Sequence, residues 1–517
     1  MKRIIFTIVL FVVAGITLSA QTYMGLDNPT QNPSCNSSYC HETVYGLWEQ
    51  SKHATAHPVE SEQYGYDCLQ CHTTGWDLEN NNLGADEFVT KDESQTPDYV
   101  VSPENEANWN ARVNVQCEAC HGPVGDDEGI LDWNHTDRAP DYSAAVCGKC
   151  HQGEHHPYYS EWQQSAHASG PPAMPDLTNR ETNSQCMHCH FAQDFIEFTT
   201  NPDYNAATFE PKGELANITC VTCHDSHTGN IRELPEKFEG KAICDVCHTV
   251  EDEQVDLNST PHHTTSEVLS NSPNFGWRYA GEDYSQAKSF HTLIRERCVA
   301  CHVHSTEFNY ATGEAAVTGH TFQPTTKACA EVCHTDYYSV VDTSDHEHQF
   351  DFRGVQTEIK GLWNELGELL INSSPSDSAT DRFKKALYNY KSVESEGSWG
   401  IHNTGLVRKL LQDAIGRMNL TKVENTNELP SEYVLNQNYP NPFNPSTIIS
   451  FSIPEASQVK LVIYSALGEK IALLVDENLS QGNYQVEWNA QNLTSGIYFY
   501  KLETPEFVKI KKMLLLR

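Results

Sequence analysis

The sequence has few basic residues for its length. Its 517 residues include 34 Lys and Arg against 70 Asp and Glu, which gives a formal net charge of −36 at neutral pH. A chain this acidic is repelled by nucleic acid and by anionic membranes, so we expect no nucleic-acid partner. The same charge favours basic partners or cationic ligands, although most of it is expected on a solvated surface.

Long apolar runs are also absent beyond the start of the chain. Ile4 to Ile16 is almost wholly apolar, follows Lys2 and Arg3, and is followed by small residues before Gln21. This pattern predicts a secretory signal peptide over residues 1–20. The run is short for a membrane-spanning helix, which needs about 20 apolar residues. We therefore expect export and no transmembrane segment in the mature chain.

No cysteine is left over once the cysteines are paired, and no Ser/His/Asp arrangement, P-loop or dinucleotide fingerprint stands out. The 18 cysteines form nine pairs, each followed at once by a histidine. Seven pairs have the form C-x-x-C-H: Cys68, Cys71 and His72; Cys117, Cys120 and His121; Cys147, Cys150 and His151; Cys186, Cys189 and His190; Cys220, Cys223 and His224; Cys244, Cys247 and His248; and Cys298, Cys301 and His302. Two pairs are wider: Cys35, Cys40 and His41, and Cys329, Cys333 and His334. A random chain of this composition would contain on the order of 0.03 such motifs.

C-x-x-C-H is the attachment signature of c-type haem. Two thiols bond to the porphyrin and the adjacent histidine ligates the iron. Zinc sites require two further ligands per metal and no histidine at this position, and disulfides place none there either. The sequence therefore predicts a multihaem cytochrome c with nine covalently bound c-type haems, held by all 18 cysteines and the nine motif histidines.

A second ligand decides what each iron can do, because a second histidine closes the iron and an open position can admit a substrate. Sixteen of the 25 histidines lie outside the nine motifs, which is enough to close every iron. His53 and His167 lie in a repeated W-x-x-S-x-H-A segment and are predicted distal ligands. Further candidates are His291, His135 and one of His262 or His263. The remaining histidines outside the resemblances below are expected at the surface or beside ligands: His57, His155, His156, His188, His304, His346 and His348.

The composition changes along the chain. Residues 21–345 hold every cysteine and predict a nonahaem domain. Residues 346–420 carry apolar side chains at helical spacing and predict a bundle of three helices that packs on the haem domain. A polar linker is expected at 421–432, and short glycine-separated strands predict an antiparallel β-sandwich at 433–517. The expected fold class is thus multidomain: a loop-rich, mainly α multihaem domain, a short helical bundle and a β-sandwich.

Residues 436–517 resemble the type A C-terminal sorting domain of the type IX secretion system. The resemblance is carried by Asn438 to Thr447 (NYPNPFNPST), Ser495 to Tyr498 (SGIY) and Lys511 to Leu516 (KKMLLL). It implies recognition by the type IX secretion machinery, passage across the outer membrane and removal of this domain. Release from the cell or attachment at its surface would follow.

Residues 35–420 resemble the superfamily of cytochrome c552/c554 and octahaem cytochromes. The shared segments include Trp48 to Ala54 (WEQSKHA), Cys117 to Pro123 (CEACHGP), Gly319 to Phe322 (GHTF) and Gly400 to Asn403 (GIHN). The resemblance implies that His320 and His402 are distal ligands. It also implies that His227, two residues after its own motif, ligates a neighbouring haem. The nine motifs differ from the eight, five or four of the family, and no C-x-x-C-K motif is present, so a lysine-ligated catalytic haem is not expected.

Three functions are consistent with this sequence. The leading hypothesis is a secreted or cell-surface electron carrier whose mostly bis-histidine haems pass single electrons to a redox partner protein or an extracellular acceptor or donor. The second is an octahaem-like oxidoreductase of a small nitrogen or sulfur compound at one open haem, for which the catalytic residues are unknown. The third is a subunit of a homo-oligomeric haem filament.

Overall fold

The computed structural model describes residues 42–57, 65–123, 141–169, 179–249, 255–294, 297–332, 334, 350–373, 378–423, 430–491 and 493–516. The chain forms two compact units. The first comprises residues 1–243 and 302–324, and the second comprises residues 244–301 and 325–517. No helix in these described ranges is both long enough and apolar enough to cross a bilayer.

Short helices joined by loops build the first unit, as predicted. They are α1 (Glu42–Glu49), α2 (Leu69–His72), α3 (Glu106–Asn110), α4 (Cys117–His121), α5 (Ala144–Gly148), α6 (Tyr158–Gln163), α7 (Ala166–Ser169), α8 (Arg180–Asn183), α9 (Met187–His190), α10 (Ala192–Thr200) and α11 (Cys220–Cys223). One small hairpin, β1 (Thr90–Lys91) with β2 (Tyr99–Val100), accompanies them. The apolar clusters here are small. One centres on Leu69 and Trp109, and another on Met187 and Phe191.

Three long helices dominate the middle of the chain. After α12 (Thr265–Ser270), α13 (Cys298–His302) and α14 (Thr326–Val332) come α15 (Val355–Ile371), α16 (Asp381–Glu396) and α17 (Thr404–Met418). The predicted bundle of three helices is therefore present. Thr380 caps α16 by accepting the N–H of Phe383, and Asn403 caps α17 by accepting the N–H of Leu406.

The bundle packs on residues that the sequence assigned to the haem domain. Phe275, Tyr279 and Tyr284 share one apolar core with α15, α16 and α17. Asn389, which is fully buried on α16, donates to the carbonyl of Trp277 at 3.1 Å and accepts its N–H at 2.5 Å. These contacts explain why residues 244–301 belong to the second unit, a division that no local sequence pattern indicates.

The C-terminal part is an antiparallel β-sandwich, as predicted. Its strands are β3 (Leu420–Val423), β4 (Val434–Leu435), β5 (Ser446–Ile453), β6 (Ser457–Ser465), β7 (Lys470–Leu479), β8 (Gly482–Asn489), β9 (Gly496–Glu503) and β10 (Val508–Leu515). One sheet has the order β10-β9-β6-β7 and the other β3-β8-β5-β4. Phe451, Leu461 and Tyr500 lie in the core between the sheets.

The expected linker at 421–432 needs a correction at its start. Residues up to Val423 form β3, which pairs antiparallel with β8 from Leu420 opposite Val486 to Val423 opposite Asn483. Strand β3 lies at the edge of its sheet and has only four residues, Leu, Thr, Lys and Val, which is too short for a clear strand pattern in the sequence. The sandwich therefore begins directly after the last helix of the bundle.

Candidate haem sites

The attachment motifs lie on short helical turns. Helices α4 and α13 each consist of one motif, and α11 starts with a capping box made by Thr219 and Thr222. Because residues three apart share one face of a helix, the two thiols of a motif point to the same side. The predicted site residues Cys35, Cys40, His41, Cys333 and the candidate His135 lie outside the described residues.

The structure gives the positions of three further predicted attachment cysteines: Cys189, Cys247 and Cys301. Cys189 lies in α9 and Cys301 in α13. Cys247 follows a helical turn, where its N–H donates to the carbonyl of Cys244 at 3.3 Å. All three are half-buried, as are most of the described motif cysteines, whereas Cys120 is exposed. Attachment of haem through these three thiols therefore stays a prediction from the motif spacing.

Backbone carbonyls orient several motif histidines through Nδ1. The Nδ1–H of His224 donates to Gly229 at 3.1 Å, that of His302 to Phe322 at 2.9 Å, and that of His72 to Ala56. A ring held in this way keeps the lone pair of its Nε2 for a metal.

Four predicted distal histidines lie opposite motif histidines. The ring centres are 6.3 Å apart for His121 and His227, 6.1 Å for His224 and His320, 6.0 Å for His151 and His53, and 6.5 Å for His334 and His291. The angles between the ring planes are 12°, 24°, 66° and 84° in the same order. Thus His227 lies opposite a histidine from a motif other than its own.

This spacing fits an iron between two imidazoles. A metal bonded to two ring nitrogens at about 2 Å each places the ring centres roughly 6 Å apart. These four pairs therefore have a spacing that fits bis-histidine haem ligation.

A fifth motif histidine lies beside two outside-motif histidines. The ring centre of His263 is 5.8 Å from that of His248 at an angle of 89°, and His262 lies 3.6 Å from His263. The choice between His262 and His263 as the ligand stays open. Of the other two predicted ligands, His167 packs edge-on against Phe322 at 4.6 Å, and His402 contacts Glu396 through Nδ1.

Burial lowers the pKa of several of these rings. Desolvation lowers the pKa of His151 to about 4, and the same cause lowers the pKa of His53, His291 and His320. A neutral imidazole has a lone pair for a metal, whereas an imidazolium has none. Their surroundings therefore favour the protonation state that iron ligation requires.

The repeated W-x-x-S-x-H-A segments make matching contacts. The indole N–H of Trp48 donates to the carbonyl of Val115 at 2.9 Å, and that of Trp162 donates to Ile218 at 2.9 Å. Each acceptor stands two residues before the first cysteine of a motif. Each repeat therefore ties its distal histidine candidate to the start of a later motif.

Thiols of different motifs lie close together. Within the first unit the thiol of Cys71 neighbours that of Cys150, and the thiol of Cys147 neighbours that of Cys220, so each changes the pKa of the other. Within the second unit the thiol of Cys244 neighbours that of Cys298 and lowers its pKa. The motif of Cys147 and Cys150 therefore lies between two others, so the groups attached to all three would be neighbours.

Two positioning residues have no signal in the sequence. The Glu161 carboxylate accepts the N–H of Thr318 at 2.9 Å, the N–H of His320 at 2.8 Å and the hydroxyl of Thr318 at 2.6 Å. It thereby fixes the loop that presents His320 to His224. The second such residue is Glu396, which contacts His402. Both carboxylates resemble ordinary surface glutamates in the sequence.

Histidines expected away from the irons take several positions. The His156 ring is exposed and its centre lies 6.5 Å from that of the predicted ligand His151. His57 contacts the Tyr99 hydroxyl at 3.3 Å, and His188 is buried against Phe198. His155 is exposed and packs on Phe308.

Two family matches cover parts of the chain. Residues 437–516 match the secretion system C-terminal sorting domain, and residues 213–253 match the doubled CXXCH motif. The second match contains the motifs of His224 and His248.

One curated relative and one solved structure to which the chain is similar are multihaem cytochromes. Over 150 residues, 26% of this chain, it is 26% identical to the multiheme cytochrome MtrA of Shewanella baltica (strain OS185). The chain matches 43% of the length of that relative. A solved structure, the undecaheme cytochrome from the S-layer of Carboxydothermus ferrireducens, is 21% identical with a TM-score of 0.38, over 67% of this chain and 54% of that one.

Proposed function

We propose that this chain, a multihaem c-type cytochrome that ends in a type IX secretion sorting domain, carries single electrons between a cellular donor and an acceptor outside the cell. Nine haems attached to the nine motifs would form its conduit. When bound, each haem supplies reversible one-electron chemistry at its iron.

The observation that carries the proposal is the set of four histidine pairs with ring centres 6.0 to 6.5 Å apart. Two histidines on one iron leave no position for a substrate, which favours electron transfer over catalysis. His53, His227, His291 and His320 would be the distal ligands of these sites. His167 and His402 are proposed distal ligands of two further sites.

The proximity of thiols supports electron exchange among three motifs of the first unit and between two motifs of the second. Cys71 with Cys150, and Cys147 with Cys220, connect three motifs in the first unit. Cys244 with Cys298 connects two motifs in the second. Cofactors attached to neighbouring thiols would have edges close together, which favours rapid electron exchange, so the third motif of the C-x-x-C-H series would be a central relay.

The charge and the sorting domain support the proposed location and partners. An acidic surface attracts a basic redox protein or a cationic metal acceptor. The match over residues 437–516 supports export through the type IX machinery to the outer surface.

Electron paramagnetic resonance of the oxidised mature protein, with haem stoichiometry measured on the same sample, tests this function. We expect nine haems per chain and only low-spin signals. The line shapes should differ between histidine pairs with nearly parallel ring planes and pairs with ring planes at a large angle. A high-spin signal of about one haem in nine would instead mark an open iron. That result would favour the small-molecule oxidoreductase.

A further inference from the structure

His402 differs from other described histidines in what its Nδ1–H contacts. Five rings, those of His72, His224, His291, His302 and His320, have a backbone carbonyl oxygen as the Nδ1 partner. His402 donates to the Oε1 of Glu396 instead. A carboxylate is a stronger acceptor than an amide carbonyl because it carries a full negative charge.

The Glu396 carboxylate is buried and held in place. Its side chain is 0% exposed, and that of His402 is 18% exposed. The other carboxylate oxygen, Oε2, accepts the N–H of Ser398 at 3.2 Å and its hydroxyl at 2.9 Å. The Ser398 hydroxyl also accepts the N–H of His402 at 3.3 Å. The carboxylate is thus fixed from one side by Ser398 and faces the imidazole on the other.

The chain reversal after α16 creates this contact. Glu396 is the last residue of the helix, which Gly397 ends in the left-handed conformation with a φ of 73°. Gly400 has a φ of 93°, and a Cβ at this position would lie 2.9 Å from the Ile359 side chain. The reversal therefore requires glycine, and it returns His402 to the end of the helix that carries Glu396.

His402 lies among haem-binding residues of the second unit. It is near enough to the Cys298 thiol and to His291 to influence both electrostatically. With Nδ1 bonded to Glu396, Nε2 is the ring nitrogen through which His402 would bind a metal.

We propose that Glu396 is a positioning residue that lowers the reduction potential of the haem whose iron His402 binds. Accepting the Nδ1–H gives the imidazole partial imidazolate character, so that Nε2 donates more electron density to the iron. Stronger donation stabilises Fe(III) relative to Fe(II), and one electron then enters this haem at a more negative potential. The inference rests on the proposed function in one respect, namely that His402 is a haem ligand.

Substitution Glu396→Gln tests the proposal in the full-length holoprotein. Glutamine keeps the shape and can still accept the Nδ1–H, but it lacks the charge. In a spectroelectrochemical titration, with the electrode supplying the electrons, we expect one haem to shift to a more positive potential. Covalent haem content and the low-spin state should not change.

Glu394→Gln is the matched control. Glu394 lies on the same helix, is exposed and carries the same charge. We expect its titration curve to overlay that of the wild type, because its carboxylate is screened by water. If Glu396→Gln gave the same curve as this control, the proposed role of Glu396 would be overturned.

The wild-type protein provides a second test that does not depend on the variant folding. Near-infrared magnetic circular dichroism of low-spin ferric haem distinguishes an imidazolate-like ligand by a charge-transfer band at higher energy. We expect one such component beside the ordinary bis-imidazole bands. Its absence would contradict the proposal, whereas a high-spin haem elsewhere would count only against the electron carrier.

Discussion

At the scale of single residues, a small set of contacts decides where each distal histidine candidate lies. Trp48 and Trp162 bond to carbonyls that closely precede attachment motifs, and each stands five residues before a distal candidate. Ser51 and Ser165, between tryptophan and histidine, are both buried. The residues next to His53 and His167 in the sequence therefore specify where these two histidines lie.

Substitution His53→Ala should open one iron. The ring centre of His53 is 6.0 Å from that of His151, and Cys147 and Cys150 would still attach the porphyrin. We expect one haem to change from low spin to high spin with no loss of covalent haem, measured by electron paramagnetic resonance and by haem quantitation. His155→Ala removes an exposed ring and should leave the spectra unchanged. A wild-type spectrum for His53→Ala would rule out this residue as a ligand.

At the scale of elements, a buried ion cluster joins the helical bundle to the sandwich within the second unit. The Glu282 carboxylate, with a side chain 9% exposed, lies 3.0 Å from the Lys409 amine, 3.8 Å from Arg417 and 3.5 Å from Lys470 of β7. The Lys470 amine also donates to the carbonyl of Gly281 at 2.5 Å. Lys409 keeps Asp413 at 3.1 Å if the Glu282 charge is removed, but Arg417, whose side chain is 8% exposed, loses this counter-ion.

Substitution Glu282→Gln should therefore destabilise the second unit. We expect the free energy of unfolding to fall by on the order of 3 kcal/mol, as measured by chemical denaturation of the holoprotein. The control is Glu358→Gln, which breaks the exposed ion pair with Arg408 and should cost less than about 1 kcal/mol. Equal effects for the two substitutions would mean that the cluster does not bind the sandwich to the bundle.

Sequence patterns predicted some elements and missed others for definable reasons. The helical spacing of apolar residues such as Ile359, Leu366 and Leu410 predicted the bundle, because each helix buries the face that carries them. Strand β3 was missed because it has only four residues and its partner β8 is distant in sequence. Glu396 was missed because its importance arises from a chain reversal that brings it to His402. The attachment roles of the cysteines and the ligand roles of the histidines remain predictions, since only binding of haem can test them.

At the scale of the whole molecule, export and electron transfer are assigned to different parts of the chain. The cysteine motifs all precede the three long helices, and residues 437–516 match the sorting domain without containing a cysteine. The excess of acidic residues lies before the sandwich, because residues 433–517 contain seven acidic and seven basic residues. Haem attachment should therefore not depend on the sandwich.

Deletion of residues 433–517 tests this separation. We expect the truncated protein to keep its full covalent haem content and to accumulate in the periplasm instead of at the cell surface. Cell fractionation with haem staining measures both outcomes. Surface exposure of the truncated protein would show that the sorting domain is not required, and loss of haem would show that the two parts are not separable.

Strand β3 has a consequence for any proteolytic release of the sorting domain. A cut between Val423 and Val434 would break the covalent chain but not the sheet, since β3 would remain bonded to β8 in the other fragment. The cytochrome and the sandwich would then form a non-covalent complex, like two halves of a split protein. Cleavage and departure would be two separate events, and the second would require β3 to be withdrawn from the sheet.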